Sequence, residues 1–212
     1  MRASALVFDF NGTLSDDEPV LLAVYQELFA EHGRPLPAER YFAELCGHTE
    51  ETIISGWLGV EGVELDGLVA ERIRRYIDRA ADGSTILPEV REAVRYAAER
   101  VPVAVCSGAF RAEIEPVVAG AGLAEAIGFL VTAEDVDTGK PAPDGYLKAI
   151  ERLGLDATGI VAFEDTEAGV ASAKAAGLRC LAVRTTLPAE RLRLADELVD
   201  GIDLALVRRL VG

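Results

Sequence analysis

Four short segments carry the side chains with chemistry in them, and each follows an apolar run. Asp9-Phe10-Asn11-Gly12-Thr13-Leu14 comes directly after Ala5-Leu6-Val7-Phe8. That run reads as a buried strand. Residues two apart on a strand share a face, so the Asp9 carboxylate and the Asn11 amide are expected to point the same way, with Phe10 turned into the core. Val103-Ala104-Val105-Cys106 leads into Ser107-Gly108, a hydroxyl and backbone N–H groups able to hold an anion where a helix begins. Thr138-Gly139-Lys140-Pro141 aims one of the chain's three lysines from a stiff loop. Ile160-Val161-Ala162-Phe163 ends in Glu164-Asp165, oxygen ligands suited to Mg²⁺. Each segment alone has a plainer explanation: an Asn-Gly turn, Ser107 or Asp165 as a helix cap, Lys140 as a solvated loop residue. Four of them at strand ends point instead to one site, since ligands of open α/β sheets sit beyond the carboxyl ends of the strands.

The elements that must position these residues are legible in outline. From about residue 85 the pattern alternates. Helix is expected over Pro88–Arg100, strand over Val103–Cys106, and helix from about Phe110 to Ala119. A short strand at Phe129–Val131 and a helix over Asp144–Leu153 follow. Strand Ile160–Phe163, helix Thr166–Ala176 and strand Cys180–Val183 come next. A helix around Pro188–Ala195, an edge strand Glu197–Val199 and a last helix from Asp203 complete the series. Such alternation implies a doubly wound, Rossmann-like parallel sheet with helices on both faces. Residues 15–84 break the pattern. Val20, Leu21, Val24, Leu28 and Phe29 form one helical stripe; Leu68, Val69, Ile73, Tyr76 and Ile77 form another, with shorter helical pieces at Pro37–Leu45 and Thr49–Leu58 between them. This is the signature of an inserted α-helical cap over residues 15–84, with the α/β core made of 1–14 and 85–212. The joints fall near Ser15–Asp17 and Ala81–Thr85. Caps of this kind close over a site and exclude water.

Composition narrows the partners. The net charge of −15 over 212 residues argues against nucleic acid and anionic membranes. No stretch is long and apolar enough to span a bilayer, and the start lacks a signal-peptide layout. Three cysteines stand far apart without metal spacing, which fits a reducing, cytoplasmic setting. In so negative a field, an anionic substrate needs a local positive site, which makes Lys140 and a bound cation more necessary.

In this order, the four segments resemble the haloacid dehalogenase superfamily, and most closely its phosphatase and β-phosphoglucomutase-like branch with a small helical cap. The resemblance spans nearly the whole chain. It implies a hydrolase of a small phosphorylated metabolite. Asp9 would attack phosphorus and form an aspartyl-phosphate. Ser107 and the Gly108 N–H would bind phosphoryl oxygens. Lys140 would neutralise charge on both nucleophile and phosphoryl group. Asp9, Glu164, Asp165 and the backbone carbonyl of Asn11 would hold Mg²⁺, and Thr13 would support the loop.

One residue departs from that pattern. Phosphatases of the family carry an aspartate two positions after the nucleophile, which protonates the leaving oxygen and then activates water; this chain has Asn11. An amide orients but trades no proton, and general acid–base catalysis is worth roughly 10²- to 10⁴-fold. Slow turnover is expected, with anhydrides, acyl phosphates and aryl phosphates least affected. Three origins of Asn11 stay open: a natural residue, an introduced Asp→Asn exchange, or an Asn-Gly pair that deamidates. A catalytically impaired relative that binds a phosphometabolite or a protein partner is the competing expectation. Phosphonoacetaldehyde hydrolysis needs a cap lysine, and residues 15–84 contain none. A haloacid dehalogenase places an aromatic residue where Asn11 stands. A Ser-His hydrolase at Ser107 lacks a histidine in the expected core. In the cap, His48 sits in Leu45-Cys46-Gly47-His48-Thr49-Glu50, a candidate substrate contact with helix-start residue as the alternative. Glu50 occupies a position that resembles a basic, phosphate-gripping one in the mutases and is expected to repel a second phosphate. Arg111 is the remaining cation near Ser107, a candidate substrate contact with a solvated helix residue as the alternative.

Overall fold

The computed structural model describes residues 2–212. Six strands form one parallel sheet: β1 Ala5–Phe8, β2 Val103–Cys106, β3 Phe129–Val131, β4 Ile160–Glu164, β5 Arg179–Val183 and β6 Glu197–Val199, in the order β3-β2-β1-β4-β5-β6. Register is set by pairs such as Val7 with Ala104 and Val7 with Ala162. The chain winds outward from β1 to β3, then returns to lay β4 on the other side of β1. The topological switch point therefore falls between β1 and β4, the crevice where such sheets bind ligands.

Alternate side chains of each buried strand feed two different cores. Leu6, Phe8, Val103, Val105, Val161, Phe163, Leu181 and Val183 face one side. There they meet helices α5 (Pro88–Ala98), α6 (Arg111–Gly120) and α9 (Leu204–Val211). Phe8 stacks on Phe163 at 4.7 Å between ring centroids. Ala5, Val7, Ala104, Cys106, Ala162, Cys180 and Ala182 face the other side, under α7 (Asp144–Leu153) and α8 (Glu167–Ala175). Most of these are small, so α7 and α8 lie close against the strands.

Four helices occupy residues between β1 and α5: α1 Glu18–Glu31, α2 Ala38–Arg40, α3 Glu50–Leu58 and α4 Gly62–Ala80, with a wide π-turn at Tyr41–Leu45. Their apolar stripes match the sequence expectation: Leu21, Val24, Tyr25, Leu28 and Phe29 are buried on α1, and Leu68, Val69 and Tyr76 on α4. The two chain passages that join them to the sheet are tied together. Ser15 Oγ donates to Thr85 Oγ1 at 2.7 Å, and Asp16 N–H to the Thr85 carbonyl at 2.8 Å.

One expected element is absent in the form anticipated. Residues 188–195 make only a 3₁₀ turn at Ala189–Arg191. Leu187 and Leu192 are buried while Leu194 is 65 % exposed, so the segment lacks the i, i+3, i+4 stripe that tertiary packing needs to hold a helix.

Candidate active site

The switch-point crevice brings Asp9, Lys140, Glu164 and Asp165 together. β1 ends at Phe8, three residues short of the strand that the shared-face expectation for Asp9 and Asn11 requires. Asp9 still extends the ladder by one bond, its N–H donating to the Phe163 carbonyl at 2.9 Å. Phe10 is fully buried as expected, and both Asp9 and Asn11 line the same cavity of about 310 Å³. The turn beyond them needs a glycine. Gly12 has φ +70°, and a Cβ there would lie 2.2 Å from Asp165 Oδ2 and 2.5 Å from Thr186 Oγ1. Thr185 Oγ1 donates to the Gly12 carbonyl at 2.5 Å, and Thr13 Oγ1 to Asp165 Oδ1 at 3.1 Å. The loop is thus clasped from β5 and itself aligns Asp165.

Lys140 is no solvated loop lysine. Its side chain is 15 % exposed, and Nζ lies 2.5 Å from Asp9 Oδ1 and 2.6 Å from Glu164 Oε1. Burial opposes its charge, but the two carboxylates outweigh that and hold the ammonium above its usual range. Glu164 is fully buried behind the cavity and is not one of its lining residues. Oε1 also accepts the Tyr146 hydroxyl at 2.6 Å. Burial pushes Glu164 up to about 7, against the pull of Lys140. Gly169 makes room for this carboxylate, since a Cβ there would meet Glu164 Oε2 at 1.8 Å. Asp165 is raised well above the carboxylate range by burial, then by the nearby charges of Asp9 and Glu164.

The helix-cap explanations do not hold. Thr166, not Asp165, caps α8, its hydroxyl accepting the Gly169 N–H at 3.1 Å. Ser107 Oγ accepts the Ala109 N–H at 3.1 Å and lies four residues ahead of α6, whose Glu113 binds the Phe110 N–H instead. Ser107 and Gly108 both line the cavity, and the space beside the Gly108 Cα is open.

A divalent cation fits this donor set. Oxygens of Asp9, Glu164 and Asp165 lie within 4.8 Å of one another, and among the described residues Asp165 Oδ2 and Glu164 Oε2 are buried without a hydrogen-bond partner. Three carboxylates packed at this spacing share a single ammonium. A hard cation with oxygen ligands answers the remaining charge.

Asn11 is held rather than free. Its Nδ2 donates to Asp17 Oδ2 at 2.9 Å, while Gly12 N–H donates to Asp17 Oδ1 at 3.1 Å and the Tyr76 hydroxyl to Oδ2 at 2.5 Å. Asp17 is the residue before α1, yet its carboxylate makes no helix-capping bond. It serves as the acceptor for the amide, and burial pushes it up to about 6 despite those three donors.

The helices between β1 and α5 contribute residues that sequence reasoning did not single out. Arg72 of α4 is 2 % exposed, lines the cavity, and sits between Glu50 at 3.3 Å and Glu113 of α6. Glu50 is therefore a buried partner of a guanidinium and not the free repelling charge expected of it. Glu18 at the start of α1 lines the cavity too, its Oε2 accepting the Tyr41 hydroxyl at 2.9 Å. His48 lines the cavity and is exposed, with Thr49 capping α3 beside it. Arg111 does not line it. Its guanidinium is bound to Asp135 at 2.7 Å, so the expected substrate contact has no support here. Asp17 and Glu18 follow closely on the Asp9–Leu14 segment, which was the available signal. Arg72 carried none, since only folding brings α4 over the sheet.

Comparison with known proteins agrees with this geometry. A family model for haloacid dehalogenase-like hydrolases matches residues 3–177. The chain is 30% identical over 212 residues to validoxylamine A 7'-phosphate phosphatase of Streptomyces hygroscopicus subsp. limoneus, covering 95% of this chain and 94% of that one. It is 31% identical over 185 residues to fructose-1-phosphate phosphatase of Escherichia coli, covering 86% and 97% respectively. A crystal structure of a haloacid dehalogenase-like hydrolase from Bacteroides fragilis superposes with a TM-score of 0.84 over 97% of this chain and all of the other, at 19% identity.

Proposed function

The chain belongs to the haloacid dehalogenase-like hydrolases, and from that premise we propose that it is a Mg²⁺-dependent phosphatase of a small phosphorylated metabolite, of the carbohydrate-like kind its relatives are named for. The observation that carries this reading is the meeting of Asp9, Lys140 and Asp165 at one switch-point crevice. A binding module has no use for an aimed carboxylate with an ammonium 2.5 Å away.

The roles follow from charge and position. Asp9 attacks phosphorus and the ester oxygen leaves, giving an aspartyl-phosphate that water then hydrolyses. Lys140 fixes Asp9 in place through Oδ1 and leaves the other carboxylate oxygen to attack. It also faces the spread negative charge of the transferring group. Ser107 and the Gly108 N–H take phosphoryl oxygens, a role supported by their lining the same cavity. Asp9, Asp165 and the Asn11 backbone carbonyl would hold Mg²⁺, with Glu164 as a further donor. When bound, the ion supplies charge neutralisation for nucleophile and phosphoryl group alike. Residues 15–84 act as a cap that closes over the crevice, with His48 as a substrate contact. Asn11 makes turnover slow on alkyl esters, and it is also the one observation that favours a binding protein without turnover.

The test is phosphate release from a panel of sugar and polyol monophosphates with Mg²⁺, with EDTA, and with an Asp9→Asn variant. Metal-dependent release that the variant lacks supports the reading. Binding of the same esters without release by the unaltered protein supports the binding alternative instead.

A further inference from the structure

Asn11 leaves the leaving group without its usual proton donor, and the other carboxyl and imidazole groups facing the same cavity divide by what already holds them. Asp9 and Asp165 are committed to nucleophile and cation. Glu50 faces Arg72 at 3.3 Å. Glu134 accepts the Arg111 N–H at 3.1 Å, and Glu51 and Asp137 are exposed acids in open solvent. Two groups remain. His48 is exposed on its loop. Glu18 is half-buried and fixed at the start of α1, with Oε2 accepting the Tyr41 hydroxyl.

Resting on the phosphatase reading, we propose that Glu18 is the general acid of this enzyme, replacing the proton donor that Asn11 cannot be. As Asp9 bonds to phosphorus and the P–O ester bond breaks, the Glu18 carboxyl proton passes to the departing alkoxide, giving an alcohol and a Glu18 carboxylate. When water attacks the aspartyl-phosphate, that carboxylate accepts the water proton, inorganic phosphate leaves, and Asp9 and Glu18 return to their starting states. The local chemistry suits a group that must hold a proton near neutral pH and release it. Burial and then the adjacent Asp17 carboxyl push Glu18 up to about 7, Asp9 adds to this, and the Tyr41 hydroxyl and Cys46 thiol oppose it. Asp165 and the buried Tyr25 also feel its charge. The fixed geometry is the second support: Glu18 reaches the cavity from the first turn of a helix, where the helix dipole stabilises the anion left behind.

The experiment compares a poor and a good leaving group in the holoenzyme. Fructose 1-phosphate and p-nitrophenyl phosphate are assayed with Mg²⁺ for the unaltered protein, Glu18→Gln, His48→Gln and Tyr41→Phe. Glu18→Gln is expected to lower kcat on the alkyl ester by about 10²-fold and initial-burst nitrophenol release by less than about 3-fold, because a phenoxide leaves without a proton. The unaltered protein is expected to lose alkyl-ester turnover above about pH 7, and Tyr41→Phe to move that limb upward, since it removes a bond that favours the carboxylate. Equal losses on both esters in Glu18→Gln, or the leaving-group-dependent loss appearing in His48→Gln, overturn the assignment. If Glu18→Gln does not fold, a limb that Tyr41→Phe leaves in place overturns it alone. No turnover of either ester by the unaltered protein removes the phosphatase reading first, and this assignment with it.

Discussion

Restoring a carboxylate at position 11 is the most informative perturbation, because the structure has already built against it. Asn11 Nδ2 lies 2.9 Å from Asp17 Oδ2. In Asn11→Asp that contact becomes carboxylate on carboxylate. Two ionised groups at this distance repel by about 6 kcal/mol at an effective dielectric of ~20, so the pair keeps one proton instead. Asp17 alone has a folded value of about 6, raised above the unfolded one. A raised carboxyl loses folded-state stability as pH climbs from the unfolded value to the folded value, and loses no more above it. For the unaltered protein that loss is complete by about pH 6. In the variant it continues at about 1.4 kcal/mol per pH unit. Asn11→Asp is thus expected to match the unaltered protein near pH 6 and to be less stable by about 3 kcal/mol at pH 8. Denaturant unfolding at both pH values, in EDTA, reads this directly. Asn11→Asp with Asp17→Asn is expected to recover the stability at pH 8. Alkyl-ester turnover should rise about 10²-fold in the double variant, the low end of acid–base gains, because Glu18 already supplies a proton. A single variant as stable as the unaltered protein at pH 8, or a double variant no more stable than the single, refutes the pairing of Asn11 with Asp17.

Three further outcomes are expected. Mg²⁺ at a hundred times its dissociation constant should raise the unfolding free energy by about 2.7 kcal/mol, and Asp165→Asn should abolish that rise in thermal melts. Lys140→Met leaves Asp9 and Glu164 facing each other without their ammonium; Glu164, already about 7, moves higher, so the variant should lose about 3–5 kcal/mol at pH 8 and less at pH 5 by urea unfolding. Gly12→Ala forces a Cβ to within 2.2 Å of Asp165 Oδ2 at φ +70°; it should cost at least about 1–2 kcal/mol and weaken Mg²⁺ binding measured by calorimetry.

The sheet was readable because each central strand is a short apolar run whose two faces are both buried, so β1 and β2 fall where the runs fall and β4 and β5 within one residue of them. Asp9, Glu164 and Asp165 were readable because each stands at the end of such a run, and Lys140 because Gly139 and Pro141 pin it in its loop. The site's second layer was not. Asp17 looks like a helix cap until its partners Asn11 and Tyr76 are known, and those lie 6 and 59 residues away. Arg72 shows only as one charge on an amphipathic helix, whereas in the fold it is buried between acids of α3 and α6. Thr185 and Thr186 sit in a loop without pattern, and their value comes from contact with Gly12. The Arg111–Asp135 pair was hidden for the same reason: closeness in sequence to Ser107 says nothing about Asp135, which takes the guanidinium.

The most direct measurement is acid quench of the Mg²⁺-loaded protein during turnover of a ³²P-labelled sugar monophosphate, followed by peptide mapping. The expected result is acid-stable label on the peptide containing Asp9, absent from Asp9→Asn. Label on any other residue, or undiminished phosphate release by Asp9→Asn, would contradict a nucleophile at the tip of β1.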